Sequence, residues 1–215
     1  LEGVKIALIS DEMTYQDIKD ECQIIYLTPK NWRFLMEQEK PDLLFCESTW
    51  SGISVYPDCW RCRIYRNHHV RFEHRKELLE LLSYCKEKKI PTAFWNKEDP
   101  TFFGNDSYDF VDTALKFDFI FTTAMECVPF YQDRGHTNVS VLMFGFSPKL
   151  FYPLSLQREE NTAVFAGSWY ADQPERCQDM EAIFDKVLRQ GIRLKIYDRH
   201  YGSSNPIHQF PKKYS

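Results

Sequence analysis

The chain has 215 residues, the length of one large domain or of one and a half. Its apolar content of 43% and charged content of 27% exclude a disordered, collagen-like or low-complexity chain. The formal net charge of −4 excludes a general nucleic-acid binder, although not a local basic patch. No run approaches the ~18 apolar residues that a membrane-spanning helix needs, and the first residues lack the pattern of a secretory signal.

The first ~145 residues alternate short apolar runs with amphipathic ones, a pattern typical of βαβ units. Such units indicate a parallel sheet with right-handed crossovers, so we predict an α/β, Rossmann-like, doubly wound domain over residues 1–147. The segment 47–71 is rich in loop signals. Strands are predicted at 4–9, 23–27, 41–46, 91–95, 118–122 and 139–144, and helices at 11–20, 31–38, 74–89, 107–116 and 123–134.

A second unit follows a change in composition. Residues 148–162 contain two Pro and a polar run without periodicity, which indicates a linker. A strand at 163–166, a helix at 179–189 and a strand at 193–197 then form one βαβ unit. Because one such unit rarely buries both of its faces, residues 163–215 are predicted to be the incomplete start of a second Rossmann-like domain.

Seven Cys cannot all pair within the chain, because the number is odd. Several lie in apolar runs, where reduced thiols behave as small hydrophobes, so we expect a reducing, cytoplasmic location. The pair Cys59 and Cys62 is a weak metal or redox signal, since its spacing to the nearby His residues matches no standard zinc pattern.

Polar and aromatic residues crowd the end of the fourth predicted strand: Trp95, Asn96, Lys97, Glu98 and Asp99. In open α/β sheets, ligands bind in the crevice at the carboxyl ends of the strands. Carboxylates there can accept hydrogen bonds from sugar hydroxyls, a Lys can pair with phosphate, and a Trp can stack on a sugar ring. The alternative is a solvated turn.

Two further strand ends carry acidic residues. Glu47 and Trp50 follow the third strand, where the alternative is a loop with a packing Trp. Asp11 follows the first strand and is the weaker candidate, because Asp is common as a helix cap. If the third and fourth strands are neighbours, the clusters at their two ends face one crevice.

In the second unit, Gly167, Ser168 and Tyr170 follow one strand, and Asp198 and Arg199 follow the next. A Gly-Ser turn lets a phosphate approach backbone N–H groups, and Arg can meet a diphosphate. The alternatives are a tight turn and an exposed polar loop. The G-x-G-x-x-G fingerprint is absent, as are the G-x-S-x-G, Walker A and H-E-x-x-H motifs.

Five segments together resemble the CgeB-like glycosyltransferases, bacterial proteins of the GT-B type associated with spore maturation and teichoic acids. The resemblance covers about residues 40–215. It implies two facing Rossmann-like domains, of which the first takes the acceptor and the second the nucleotide-sugar donor. The segments are IPTAFWNKEDPTFF (90–103), FDFIFTTAMECVPFY (117–131), VLMFGFSP (141–148), AVFAGSWYADQPERCQDM (163–180) and IYDRHYG (196–202).

The resemblance implies transfer of a sugar from a nucleotide-sugar to a cell-surface, spore-related or phage-related acceptor, such as a glycan or polyol phosphate. The nucleotide-sugar is a co-substrate, and no cofactor or metal is implied. By position, we expect catalytic carboxylates at Glu98, Asp99 and Asp11, substrate contacts at Lys97, Asn96, Trp95, Glu47 and Trp50, and donor contacts at Gly167, Ser168, Tyr170, Asp198 and Arg199.

The chain also departs from the family. Ala124 stands where the family tends to have an acidic residue, and the family's second domain continues well beyond Ser215. We therefore expect either a truncated piece or a natural short form. Two alternatives stay open: a non-catalytic carbohydrate- or nucleotide-binding module, and a structural or interaction protein that kept the fold. The sugar, the stereochemical outcome and a homo-oligomeric state are left open as well.

Overall fold

The computed structural model describes residues 3–153 and 160–214. The chain forms two compact units, Leu1–Tyr152 and Pro153–Ser215, each described here by itself. Part of the predicted linker, residues 154–159, lies outside the described residues. That the second unit is the start of a donor-side domain stays a prediction.

All six strands of unit 1 pair in parallel in the order β2-β1-β3-β4-β5-β6, which confirms the predicted α/β class and is consistent with a Rossmann-like fold. The elements are β1 (Lys5–Ile9), α1 (Glu12–Ile18), β2 (Gln23–Tyr26), α2 (Trp32–Glu39), β3 (Leu43–Glu47), α3 (Lys76–Lys88), β4 (Thr92–Asn96), α4 (Phe110–Ala114), β5 (Phe119–Thr122), a 3-10 turn (Met125–Cys127), α5 (Val128–Asp133) and β6 (Val139–Val141).

The helices are divided unequally between the two faces of this sheet. The larger core lies beside α2, α3, α4 and α5 and includes Leu44 and Phe94, whose side chains point to that face. A smaller cluster lies under α1 and includes Leu8 and Phe45. This division follows from right-handed crossovers, because only the step from β1 to β2 runs in the opposite direction along the sheet.

Strand β6 is shorter than predicted, since it ends at Val141 and not at residue 144. Its apolar continuation leaves the sheet and is largely exposed: 61% for Met143 and 65% for Phe146. The pairing stops here because β5, the strand beside β6, itself ends at Thr122, whose carbonyl accepts the last contact from the Leu142 N–H at 2.9 Å.

Unit 2 contains β7 (Thr162–Ala166), α6 (Pro174–Arg189), β8 (Arg193–Tyr197) and a 3-10 turn at Pro206–His208. The two strands pair in parallel. Helix α6 begins five residues earlier than predicted, since Pro174 and Glu175 both suit a first helical turn. It covers one face of the strands, while Val164 on the other face is 61% exposed.

No helix among residues 3–153 and 160–214 is long and apolar enough to cross a membrane. All seven Cys are free thiols.

Candidate functional site

The strand order of unit 1 reverses direction between β1 and β3, because β2 lies on one side of β1 and β3 on the other. Such a switch point opens a crevice at the carboxyl ends of the strands, where open α/β sheets bind ligands. The structure brings the predicted residues of three strand ends together here: Asp11 after β1, Glu47 and Trp50 at β3, and Lys97 and Glu98 after β4.

A buried ion pair joins the ends of β3 and β4. Lys97 Nζ lies 2.8 Å from Glu47 Oε1, and the side chains are only 8% and 0% exposed. The same Glu47 oxygen accepts the backbone N–H of Asp11 at 2.6 Å. Burial raises the pKa of Glu47, and the Lys97 ammonium opposes that rise. These contacts fix three strand ends relative to one another.

Asp11 holds the loop that follows β3. Its carboxylate accepts the backbone N–H groups of Trp50, Ser51 and Gly52 at 2.9, 3.0 and 2.8 Å, and also the hydroxyl of Thr49. Although Asp11 is the residue before α1, its side chain makes no cap hydrogen bond to that helix. These four hydrogen-bond donors occupy both carboxylate oxygens. The Asp11 side chain is therefore better suited to positioning the loop than to accepting a proton from a substrate.

Trp50 makes hydrogen bonds to both Asp11 and Glu98. Its indole N–H donates to Glu98 Oε1 at 2.8 Å, while its own backbone N–H donates to Asp11. Burial raises the pKa of the half-buried Glu98, and the nearby Asp11 charge adds to the rise. The Trp50 ring contacts four other aromatic rings, which favours a packing role: Tyr65, Phe102, Tyr108 and Phe110.

Asp99 lies deeper, in a buried polar network. Asn96 Nδ2 donates to Asp99 Oδ1 at 2.8 Å, and the hydroxyls of Thr122 and Tyr131 both donate to Oδ2 at 2.8 Å. Burial raises the pKa of Asp99 to about 6, against the lowering effect of these hydroxyls. Thr122 and Tyr131 were not predicted. Thr122 is the last residue of β5, so the expectation that polar groups at the carboxyl ends of strands form the site could have included it.

Trp95 lies on the α1 side of the sheet and is 7% exposed. Its indole N–H donates to the carbonyl of Leu142 at 2.9 Å. One side of the ring lines a cavity of about 390 Å³ in unit 1.

Unit 2 has an open cavity of about 770 Å³ at the carboxyl ends of β7 and β8. All five predicted donor residues line it: Gly167, Ser168, Tyr170, Asp198 and Arg199. The Arg199 guanidinium donates to the Tyr170 hydroxyl at 2.7 Å, which directs both side chains to the same opening. A Cβ at position 167 would lie 2.8 Å from the Phe165 ring, so any larger residue than Gly167 would require that ring to shift.

Arg176, the third residue of α6, was not predicted and also lines this cavity. Its guanidinium lies over the Tyr170 ring, 5.1 Å from the centroid. Because Arg176 belongs to the first turn of α6, the positive end of that helix dipole lies near this side of the cavity. The cavity lining therefore includes two guanidinium groups and aromatic rings, a set suited to phosphate and to a planar base.

Trp169, at the end of β7, is a strand-end Trp that does not face a ligand site. It is 6% exposed and packs against Phe210 in the core of unit 2. Among the described residues, no group of three or more His, Cys, Asp and Glu could hold a metal ion.

Comparison of the chain with protein-family models, with curated proteins and with solved structures finds no match. The resemblance to the CgeB-like glycosyltransferases therefore stays a prediction from the sequence motifs alone.

Proposed function

We propose that this protein is a glycosyltransferase of the GT-B type, which transfers a sugar from a nucleotide-sugar to a hydroxyl-bearing acceptor such as a glycan or polyol phosphate. Unit 2 takes the nucleotide part of the donor, and unit 1 supplies the base that activates the acceptor. We also propose a cytoplasmic location, because the nucleotide-sugar that this reaction needs is a cytoplasmic metabolite.

The cavity of unit 2 is the observation that carries the proposal. It gathers Arg176 and Arg199 beside the first turn of α6, where the charge of a diphosphate can be neutralised. Asp198 Oδ1 accepts the backbone N–H of His200 at 2.9 Å, which turns the carboxylate toward the cavity that it lines, where it could accept hydroxyl groups of the nucleotide-sugar. Tyr170 and the neighbouring tyrosines offer faces on which a base can stack.

Glu98 is the carboxyl of unit 1 best suited to general-base catalysis. Its pKa is raised by burial, which brings a carboxylate closer to the proton affinity that a base needs near neutral pH. The transfer forms a bond between the acceptor oxygen and the anomeric carbon and breaks the bond from that carbon to the nucleoside diphosphate. For this reaction unit 1 offers Glu98, which can take the proton of the acceptor hydroxyl. Unit 2 offers Arg176 and Arg199, which can hold the charge of the nucleoside diphosphate that leaves.

The proposal is tested by incubating the full chain with UDP-, GDP- and CDP-sugars and measuring release of nucleoside diphosphate, together with calorimetric titration of each nucleotide. Release from one donor class, with saturable binding of the matching nucleoside diphosphate, is the expected result. No release and no nucleotide binding would reject the transferase. Saturable nucleotide binding without release from any donor would favour the nucleotide-binding module instead.

A further inference from the structure

The side chain of Asn96 joins the backbone of Glu98 to the interior of unit 1. Asn96 is the last residue of β4 and is only 1% exposed, so its amide faces the interior. Its Oδ1 accepts the backbone N–H of Glu98 at 3.3 Å. Its Nδ2 donates to Asp99 Oδ1 at 2.8 Å and to the hydroxyl oxygen of Tyr131 at 2.9 Å. One buried side chain therefore connects the proposed base to Asp99 and to α5.

The partners of the Asn96 amide leave it only one orientation. The Glu98 backbone N–H can only donate, so the amide oxygen must face it, whereas an ionised Asp99 carboxylate can only accept, so the amide nitrogen must face that side. The second Nδ2 proton goes to the oxygen of Tyr131, whose own proton goes to Asp99 Oδ2 at 2.8 Å. Turning the amide over would break all three of its hydrogen bonds. Asp99 and Tyr131 together therefore fix the oxygen that holds Glu98.

Tyr131 gives this network a rigid support. It lies in α5, is 0% exposed, and its ring packs edge-on against Phe103 with the ring centroids 5.6 Å apart. Close packing of this kind restricts the rotamers of a buried side chain. The Tyr131 hydroxyl is thus held at one place beside the end of β4, where it meets Asn96.

Glu98 is held at two points. Asn96 holds its backbone N–H, and the Trp50 indole N–H donates to its Oε1 at 2.8 Å. A general base acts only within hydrogen-bonding distance of the proton that it takes, and small displacements of a reacting group cost large factors in rate. The direction of the Glu98 carboxylate therefore depends on the backbone contact as well as on Trp50.

We propose that Tyr131 is a positioning residue for Glu98: its hydroxyl fixes the Asn96 amide, and Asn96 fixes the backbone from which the carboxylate extends. Tyr131 touches no substrate in this role, because it is buried. The consequence for catalysis rests on the proposed transferase activity. The hydrogen-bonded connection from Tyr131 to Glu98 does not, so it can be tested separately.

Thr122 supplies a closely matched control. Its hydroxyl donates to the same Asp99 oxygen as the Tyr131 hydroxyl does, at the same 2.8 Å, but the donor that it accepts is the backbone N–H of Ala124 and not the Asn96 amide. Tyr131→Phe and Thr122→Val each keep the side-chain shape, remove one hydroxyl from Asp99 and leave one donor unpaired. Only Tyr131→Phe disturbs Asn96.

Amide hydrogen exchange tests the connection in the full chain without any need for activity. Tyr131→Phe should speed exchange at the Glu98 amide by roughly 10-fold and leave the Ala124 amide unchanged. Thr122→Val should do the reverse, because the Ala124 N–H loses its bond of 3.2 Å to the Thr122 hydroxyl. Unchanged exchange at Glu98 in Tyr131→Phe would overturn the proposal, as would the same acceleration at Glu98 in both variants.

The release assay tests the consequence for catalysis. Tyr131→Phe should have a kcat about 10-fold lower than that of Thr122→Val, with the KM for the donor and the nucleotide affinity equal in the two variants. Urea unfolding should show similar losses of stability in both, so that stability cannot explain the difference in kcat. Equal kcat values would overturn the positioning role.

This proposal and the transferase proposal fail separately. Nucleoside diphosphate release by the natural chain, together with unchanged exchange at Glu98 in Tyr131→Phe, keeps the transferase and rejects the role of Tyr131. No release by the natural chain, together with faster exchange at Glu98 in that variant, rejects the transferase and keeps Tyr131 as the residue that fixes Glu98.

Discussion

Lys97 Nζ lies 2.8 Å from Glu47 Oε1, with both side chains withdrawn from solvent at the ends of neighbouring strands. The pair is therefore part of the interior of unit 1, not of a solvated turn. Removing one partner of a buried ion pair leaves the other charge without compensation, which typically costs more than the pair itself contributes. If a Lys97 variant loses activity, its free energy of unfolding must also be measured, because the loss could come from unfolding of unit 1 and not from a missing substrate contact.

Lys97→Met should lower the free energy of unfolding by about 3 kcal/mol at pH 7, because the Glu47 carboxylate stays buried without its cation. The double variant Lys97→Met/Glu47→Gln should recover most of that loss. Urea unfolding followed by Trp fluorescence measures both. Lys116→Met is the control: its pair with Asp112 is 3.3 Å long and over one-third exposed, so a change below about 1 kcal/mol is expected. Additive losses in the double variant would contradict the role of the pair.

Asp11→Ala should release the loop after β3, because three backbone N–H groups lose their acceptor. We expect a loss of about 2–4 kcal/mol in the free energy of unfolding, and faster amide hydrogen exchange at Trp50, Ser51 and Gly52. The exposed Asp20→Ala should change stability by less than about 0.5 kcal/mol. Unchanged exchange at those three amides in Asp11→Ala would show that the loop is held by other contacts.

Asp99 should make stability depend on pH in a defined direction. Its pKa is raised from 3.8 to about 6 in the folded state, so the native protein binds this proton more tightly than the unfolded chain does. The resulting stabilisation is fully present below pH ~4 and is lost as the pH rises through ~6, an effect of order 2–3 kcal/mol.

Asp99→Asn removes this titration while keeping the shape of the side chain. The difference in unfolding free energy between pH 4.5 and pH 7.5 should therefore be smaller in the variant than in the natural chain. Urea unfolding at both pH values supplies the comparison. The same pH difference in both proteins would mean that Asp99 ionises in the fold as readily as in the unfolded chain.

Glu98→Gln should abolish turnover, with a loss of at least about 100-fold in kcat, because the amide cannot take the acceptor's proton. Its oxygen can still accept the Trp50 indole N–H, so the free energy of unfolding and the nucleotide affinity should stay unchanged. Glu126→Gln, on the exposed 3-10 turn, is the control. Full activity of Glu98→Gln would show that Glu98 is not the general base, and another carboxylate of unit 1 would then have to be tested in that role.

Arg176→Gln should weaken binding of a nucleoside diphosphate by about 10-fold, since one charge-assisted contact to phosphate is lost. The same substitution at Arg189, in the last turn of α6 and exposed, should leave the affinity unchanged. Calorimetric titration with the nucleotide found active in the release assay measures both. Equal affinities for the two variants would show that the diphosphate does not lie beside the first turn of α6.

The strands and α-helices of the described residues were predicted in the right order, because apolar periodicity depends only on local sequence, whereas the 3-10 turn at Pro206–His208 was not predicted. The misses have local causes too. Strand β6 ends early at Val141, because its partner β5 ends at Thr122. Helix α6 begins early at Pro174, because its first turn is polar and shows no apolar periodicity. The candidate site residues were predicted by the rule that ligands bind at strand ends. That rule identifies positions in the sheet but does not say which side chains will contact one another.

The sequence by itself determined a parallel α/β sheet, the strand ends that carry polar groups, and the five donor-cavity candidates of unit 2. Only the tertiary structure decided what each group does. It buried Lys97 against Glu47, assigned Asp11 to a loop, and placed Asp99 in an interior network, whereas Glu98 stayed half-buried. The reason is physical: strand order and the approach of side chains distant in sequence set burial and hydrogen bonding, and no local pattern encodes either of them.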